Sequence, residues 1–369
     1  MKWIRLGMEG VVFSGSCPSV FCFRMSRFYG LHDLTIAATS DHPLVEKALD
    51  RTLRYKGAEV QSGSTRRGNA KTTSTDRSDL RLSFNRNGGV SWPESATHLG
   101  TGDRVGVEVW RAPGRMLLRW ETAVVDCRPE AGTARAALSE AVLKAHAHQQ
   151  RSPLFYLITL SLVILLRYRG WYPLHTAALV RNGHGLLLVA QSDSGKSTAA
   201  LNLVRSGWGY LSDDTVLLRQ VGGQAQAYSF RRNFCVDPDA TEYFPELMGG
   251  SWPSSLSDTS KWQVDLEEVY PGQFQPRCTP RILLLPEIVD ASRSRVEPAD
   301  PKTALSVLLT QGAFFLVPNR DLANRHLDVL GTLTRQVKTY HLQAGRDARD
   351  DPDALDALLQ PLVDEHEGS

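Results

Sequence analysis

The segment from Gly185 to Arg205 constrains this chain more than any other. Gly185-Leu-Leu-Leu-Val-Ala is an apolar run, Ala190-Gln-Ser-Asp-Ser-Gly-Lys-Ser follows it, and Thr198 to Arg205 has helical composition closed by Gly207. A buried strand, a glycine-containing turn and a helix form the arrangement in which backbone N–H groups curl around phosphates. The positive end of the helix dipole faces the same point. In that reading Ala190, Gln191, Ser192, Asp193, Ser194, Gly195, Lys196, Ser197 and Thr198 bind a nucleoside triphosphate, ATP in the simplest case. Lys196 reaches the β- and γ-phosphates, and Ser197 offers its hydroxyl to Mg²⁺. Ala190 replaces the pattern's first glycine. Asp193 stands where many such loops carry glycine; aspartate tolerates left-handed backbone, and its carboxylate is expected to point away from phosphate.

The flanking sequence reads as the rest of an α/β unit. His175-Thr-Ala-Ala-Leu-Val is strand-like, Asn182-Gly183 is a tight turn, and Arg281-Ile-Leu-Leu-Leu-Pro is a buried strand. Ser212-Asp213-Asp214 follows the short strand Tyr210-Leu211, one helix after the loop. Paired carboxylates there have two jobs open to them: one holds Mg²⁺ and the other accepts a proton from an attacking hydroxyl. His175 by itself is more often a core histidine with a satisfied hydrogen bond than a site residue.

The chain has 369 residues, enough for two domains. The expected division is an N-terminal tail over 1–28, a small α+β domain over 29–150, a catalytic domain over 151–350 and an acidic tail over 351–369. A polar loop is expected over 57–88, its core from Gln61 to Ser78 lacking the apolar surface that ordering requires. Pro43 to Arg54 reads as a helix with Asp41 as its cap. His146 and His148 are two apart on a helix, so they cannot share an ion and are expected at the surface. Met25 is a plausible start, because Glu9 interrupts the apolar stretch before it. Basic and acidic residues number 42 and 40, which speaks against nucleic acid held through bulk charge. Five cysteines, Cys17, Cys22, Cys127, Cys235 and Cys278, form no Cys-x-x-Cys pair, so a reducing cytoplasm is the expected compartment. Pro153 to Leu166 is uncharged but, at about 21 Å as a helix, too short for a ~30 Å hydrocarbon core. No membrane span is expected.

The block from His175 to Asp214 resembles the catalytic core of HPr serine kinase/phosphorylase and, more loosely, that of phosphoenolpyruvate carboxykinase. His175 lies 21 residues before Lys196 and Asp214 18 residues after it, and Leu203-Val-Arg-Ser-Gly-Trp-Gly-Tyr-Leu-Ser-Asp-Asp joins the helix to the aspartates. The resemblance implies that Asp214 is the catalytic base, that Lys196 binds phosphate, that Ser197 binds Mg²⁺, that His175 positions the acidic site and that Asp213 is a candidate metal-site residue behind the metal's direct ligands. Downstream the chain departs from the HPr enzymes: it has Phe230-Arg-Arg-Asn-Phe-Cys-Val-Asp-Pro-Asp in place of their glycine-rich signature and metal-binding glutamate. It is closer to divergent HPr-kinase-like proteins of bacterial peptide-modification pathways, including those for lasso peptides. The expected activity is transfer of the ATP γ-phosphoryl group to a Ser or Thr hydroxyl of a peptide or small protein, possible as a homo-oligomer. A small-metabolite kinase and a non-catalytic ATP-binding regulator remain the alternatives. Arg231, Arg232 and Lys261 are candidate phosphate clamps.

Overall fold

The computed structural model describes residues 26–60, 78–86, 88–102, 105–148, 151–190, 194–312, 319–351 and 353–365. The expectations for the tail before Ser26, for Gln61 to Arg77, for Cys17 and Cys22, and for Gln191, Ser192 and Asp193 fall outside these residues. Within them the protein is a mixed α/β structure with two large sheets.

The first sheet uses β1 (Arg27–Leu31), β2 (Leu34–Ser40), β3 (Glu59–Val60), β4 (Leu80–Arg86), β5 (Thr97–Thr101), β6 (Glu108–Ala112), β7 (Arg115–Trp120), β8 (Ala123–Arg128) and β9 (Thr133–Leu138). Their order is β3-β1-β2-β4-β9-β8-β7-β6-β5, antiparallel except where β4 pairs in parallel with β2 and β9. Helices α1 (Pro43–Tyr55), α2 (Glu140–His148) and α3 (Pro153–Tyr168) share its core. The strand β4 lies inside the span expected as a polar loop. Leu80, Leu82 and Phe84 alternate into the core at 0% exposure, a period of two that the polar residues before them obscure. Asp41 does not cap α1. His42 occupies the cap position without a side-chain bond, and Asp41 Oδ1 accepts from the backbone N–H of Arg86.

The apolar helix α3 was expected to open the second unit, and it buries Leu154, Leu157, Ile158, Leu162 and Leu165 in the core of the first sheet. Ser152 caps it, accepting from the Phe155 N–H. Ser152 also meets His146, whose Nδ1 lies 2.5 Å from its Oγ, so His146 is half-buried rather than a surface residue. No helix among the described residues is long and apolar enough to cross a membrane.

In the second sheet the central strands are buried on both faces. It contains β10 (Tyr172–His175), β11 (Ala177–Arg181), β12 (His184–Leu188), β13 (Gly209–Ser212), β14 (Thr215–Val221) and β15 (Gln224–Ser229). After a separate ribbon of β16 (Phe234–Val236) and β17 (Trp262–Val264), β18 (Arg277–Ile288), β19 (Arg295–Pro298) and β20 (Lys338–Ala344) complete it. The order runs β10-β14-β15-β18-β12-β11-β13, and β20 joins β18 to β19. The turn between β11 and β12 is the expected Asn182-Gly183, with φ of 51° and 79°.

Helices cover both faces of this sheet: α4 (Lys196–Arg205), α5 (Leu266–Val269), α6 (Pro301–Gln311), α7 (Arg320–Gln336), α8 (Asp347–Asp350) and α9 (Ala354–Asp364). Leu186, Leu188, Ile282 and Leu284 pack with α4 and α9, whereas Leu187, Val189, Leu283 and Leu285 pack with α6 and α7. This is the pattern of strands covered on both sides. Helix α9 lies in the expected acidic tail. Leu355, Leu359 and Val363 recur every four residues among its acids and are fully buried.

Gly185 fixes how closely β12 approaches β18. A Cβ there would stand 2.5 Å from Cys278 Sγ and 3.0 Å from both the Pro280 Cα and the Thr279 carbonyl oxygen. Gly185→Ala should therefore destabilise the protein by about 1–3 kcal/mol, as overpacking does. Adding Cys278→Ala should restore part of that loss, since the backbone contacts remain. Urea unfolding of the two variants measures both effects; a neutral Gly185→Ala would contradict the packing.

Candidate active site

Strand pairing brings the site together. In the β10–β14 ladder His175 is opposite Thr215, and the Thr176 N–H donates to the Asp214 carbonyl at 2.8 Å. Ser212, fully buried at the end of β13, shapes the Asp-Asp turn: its Oγ accepts from the N–H groups of Asp214 and Thr215, each at 3.2 Å. From the other side β12 runs toward α4, whose first residue is Lys196. Gly195 caps that helix at φ 79°, a backbone angle that favours glycine.

These elements converge on one chain of contacts. Lys196 Nζ lies 2.9 Å from His175 Nε2, and His175 Nδ1 lies 3.4 Å from Asp214 Oδ1. Burial pulls the His175 pKa below its ordinary value; Asp214 opposes the shift, and Lys196 and Arg231 add to it. A neutral imidazole satisfies both contacts in one tautomer, with Nδ1–H donating to Asp214 and Nε2 accepting from the Lys196 ammonium.

Arg231 closes the site from behind. Its guanidinium is 3% exposed and donates to Asp213 Oδ1 at 2.5 Å and to the Tyr55 hydroxyl at 3.0 Å, and it lies 3.2 Å from Asp214 Oδ2. The second Asp213 oxygen accepts from the Cys235 N–H at 3.0 Å, and Thr215 donates to Asp214 Oδ2 at 2.6 Å. Burial by itself would raise the Asp214 pKa, but Arg231, His175 and Lys56 hold it far below the usual carboxylate range. The carboxylate is ionised at any working pH.

Two cavities meet at His175, Asp214, Arg231 and Ser257. One, of about 470 Å³, is lined by Gly195, Lys196, Ser197, Thr198 and Asp213 among others. The second, of about 590 Å³, is walled by Tyr55 and Lys56 at the end of α1, by Phe155, Tyr156 and Thr159 of α3, and by Gln311. Tyr55 and Lys56 are the residues that the sequence did not disclose. Tyr55 ties α1 to the second unit, its hydroxyl lying 3.1–3.2 Å from Cys235 Sγ and the hydroxyls of Ser255 and Ser257.

Of the three candidate phosphate clamps, Arg231 is committed to the aspartates. Arg232 lies 3.6 Å from Asp265 and lines neither cavity. Lys261 lines the first cavity and donates to Asp237 at 3.1 Å. Among the described residues no group of three or more His, Cys, Asp or Glu side chains could hold a metal ion. Ser197 and Asp213 both line the first cavity, but Asp213 is 2% exposed and its two oxygens already accept from Arg231 and from the Cys235 N–H, which leaves the Ser197 hydroxyl as the protein oxygen open to a cation there.

No family model matches the chain, and no curated protein does. Among solved structures it has a distant likeness to the HPr(Ser) kinase/phosphatase from Coxiella burnetii. The match covers 53% of this chain and 93% of that one at 13% identity, with a TM-score of 0.32. A likeness of that size says nothing about activity.

Burial lowers the Lys56 pKa from 10.5 to about 8, with Asp214 opposing the shift. Between those two values the unfolded chain keeps a proton that the native protein has released, so stability rises with pH across that window. Lys56→Met should abolish this rise and make the protein more stable than wild type at pH 7. Thermal melts from pH 7 to 10 compare the slopes; equal slopes would contradict the burial of the ammonium.

Proposed function

We propose that this chain is a phosphotransferase that passes the γ-phosphoryl group of Mg²⁺-ATP to a hydroxyl, with a serine or threonine of a peptide or small protein as acceptor. The observation that carries the reading is the junction of two cavities at one ionised carboxylate, tied through His175 to a lysine at a helix N-terminus. Binding a nucleotide requires no such carboxylate between two chambers; transfer does.

The nucleotide occupies the cavity beside α4, its phosphates at the N-terminus of that helix against Gly195, Ser197 and Thr198 and its γ-phosphoryl group against Lys196. Ser197 would hold Mg²⁺, which would neutralise charge on the phosphates, and Asp213 would act from behind the metal's ligands. The acceptor enters the second cavity and presents its hydroxyl to Asp214. As the acceptor O–P bond forms, the bond from phosphorus to the β,γ-bridging oxygen breaks and ADP departs. The hydroxyl proton passes to Asp214 and then to water. A strongly ionised aspartate is a weak base, and this reaction asks little of one. In a loose transition state the hydroxyl becomes acidic only as its bond to phosphorus forms, so alignment matters more than basicity. His175 supplies that alignment by fixing Lys196 and Asp214 on its two nitrogens.

The placement of α1 and α3 favours a peptide or small-protein acceptor. The region before the phosphate loop walls the acceptor side, so it has a role that nucleotide binding does not account for.

Asp214→Asn should lower turnover by about 10²-fold, the lower end of what a general base contributes, because the carboxylate aligns the hydroxyl more than it draws the proton, with little change in ATP affinity. Lys196→Ala should abolish transfer and weaken ATP binding as well. Steady-state phosphorylation and nucleotide titration of both variants test the pair. Wild-type turnover in Lys196→Ala would end the phosphate-loop reading, and in Asp214→Asn it would move the base role to another residue.

A further inference from the structure

The acceptor-side chamber contains a charge that phosphoryl transfer to a simple alcohol does not need. Lys56 follows the last residue of α1 and is 6% exposed. Its ammonium lies 4.9 Å from the ring centroid of Phe230, 5.6 Å from that of Tyr55 and 5.7 Å from that of Phe155. Ring faces attract a cation but accept no full hydrogen bond from it. Among the described residues no acceptor or ion-pair partner meets this ammonium, and Asp214 attracts it only from a longer distance. Thr159 lines the same chamber, and its buried hydroxyl oxygen also lacks a hydrogen-bond partner among the described residues. A buried ammonium without a partner is costly, so a site that keeps one is set to receive an anion.

We propose that this chamber takes an acceptor carrying a carboxylate close to its reactive hydroxyl, and that Lys56 binds the carboxylate while Thr159 donates to it. The proposal rests on Asp214 being the group that meets the hydroxyl. Charge selects the ligand class. One ammonium matches one negative charge, whereas a phosphate dianion is better met by several donors or a guanidinium fork. The chamber's one guanidinium, on Arg231, is already committed to Asp213 and Asp214. Without Lys56, the ionised Asp214 would repel an acceptor carboxylate from this chamber. Lys56 is thus a specificity-determining residue, while Tyr55, Phe155 and Tyr156 cover the apolar part of the acceptor.

The carboxylate can belong to an acidic residue near serine in a peptide or to a small hydroxy acid, and Lys56 would hold either in the same way. Two matched sets of probes separate these sources. One consists of short end-blocked peptides with a central serine and either aspartate or asparagine one or two positions away. The other compares 3-hydroxybutyrate with 3-hydroxybutyramide. Calorimetry with the full chain at pH 7 measures binding, and phosphate incorporation from Mg²⁺-ATP measures transfer.

In at least one set the carboxylate member should bind about tenfold or more tightly than its amide, the usual worth of a charged hydrogen bond. The set that shows the preference identifies the source. Lys56→Met and Lys56→Gln should each bring the ratio near one with Mg²⁺-ATP affinity unchanged, and Lys56→Arg should retain part of it. No preference in either set, or a preference that survives in both neutral variants, overturns the proposal. A Lys56-dependent preference with no probe phosphorylated would uphold the carboxylate site and count against the phosphotransferase reading instead.

Discussion

The buried guanidinium of Arg231 is the interaction on which the rest of the site depends. Asp213 and Asp214 are adjacent in sequence, and Asp213 is only 2% exposed. Two unpaired carboxylates so placed would repel one another where water screens them poorly. Arg231 prevents this by pairing with both, and the pairing also offsets the cost of its own burial. The same side chain donates to Tyr55, so the charge balance of the site is coupled to the docking of α1. Such an arrangement is costly to break. Removing Arg231 would leave an uncompensated buried aspartate, a loss on the order of 3–5 kcal/mol for comparable pairs.

From that fixed pair the charges run outward in alternation: guanidinium, carboxylate, neutral imidazole, ammonium. His175 stays neutral because burial and two neighbouring cations outweigh the pull of Asp214. A protonated imidazole would have no lone pair for Lys196, and the contact at Nε2 would become a repulsion between cations. The geometry therefore calls for neutral His175, with Lys196 turned toward the boundary between the two cavities.

Much of the second unit was legible in the sequence because its signals are local. The run Gly185 to Ala190 precedes α4, Asn182-Gly183 makes its turn, and His175 and Lys196, 21 residues apart in sequence, meet at 2.9 Å. What was hidden is non-local or masked by composition. Tyr55 and Lys56 reach the site from a helix more than 100 residues upstream of His175, and no spacing rule joins them. One trace existed. Val45, Leu49, Thr52 and Lys56 fall on a single stripe of α1, so a lysine occupies a position where the helix repeat calls for an apolar residue. Strand β4 and helix α9 were obscured in another way: their apolar residues recur at the correct period, but among so many polar neighbours that average composition reads as loop and tail.

The lysine on that stripe also shows where the fold has given up stability. An apolar residue at position 56 would join Phe155 and Phe230 without desolvating a charge, and helix α1 would close more firmly on the second unit. The protein instead keeps an ammonium whose pKa burial has lowered to about 8. At neutral pH that group is still charged, so the cost of burying it is borne by the native state. A penalty in the wall of a cavity, facing the carboxylate that two chambers share, is the kind that a bound anion removes. On the proposed reading, a bound acceptor carboxylate would therefore add to stability as well as to reaction, by offsetting the cost of burying the Lys56 ammonium.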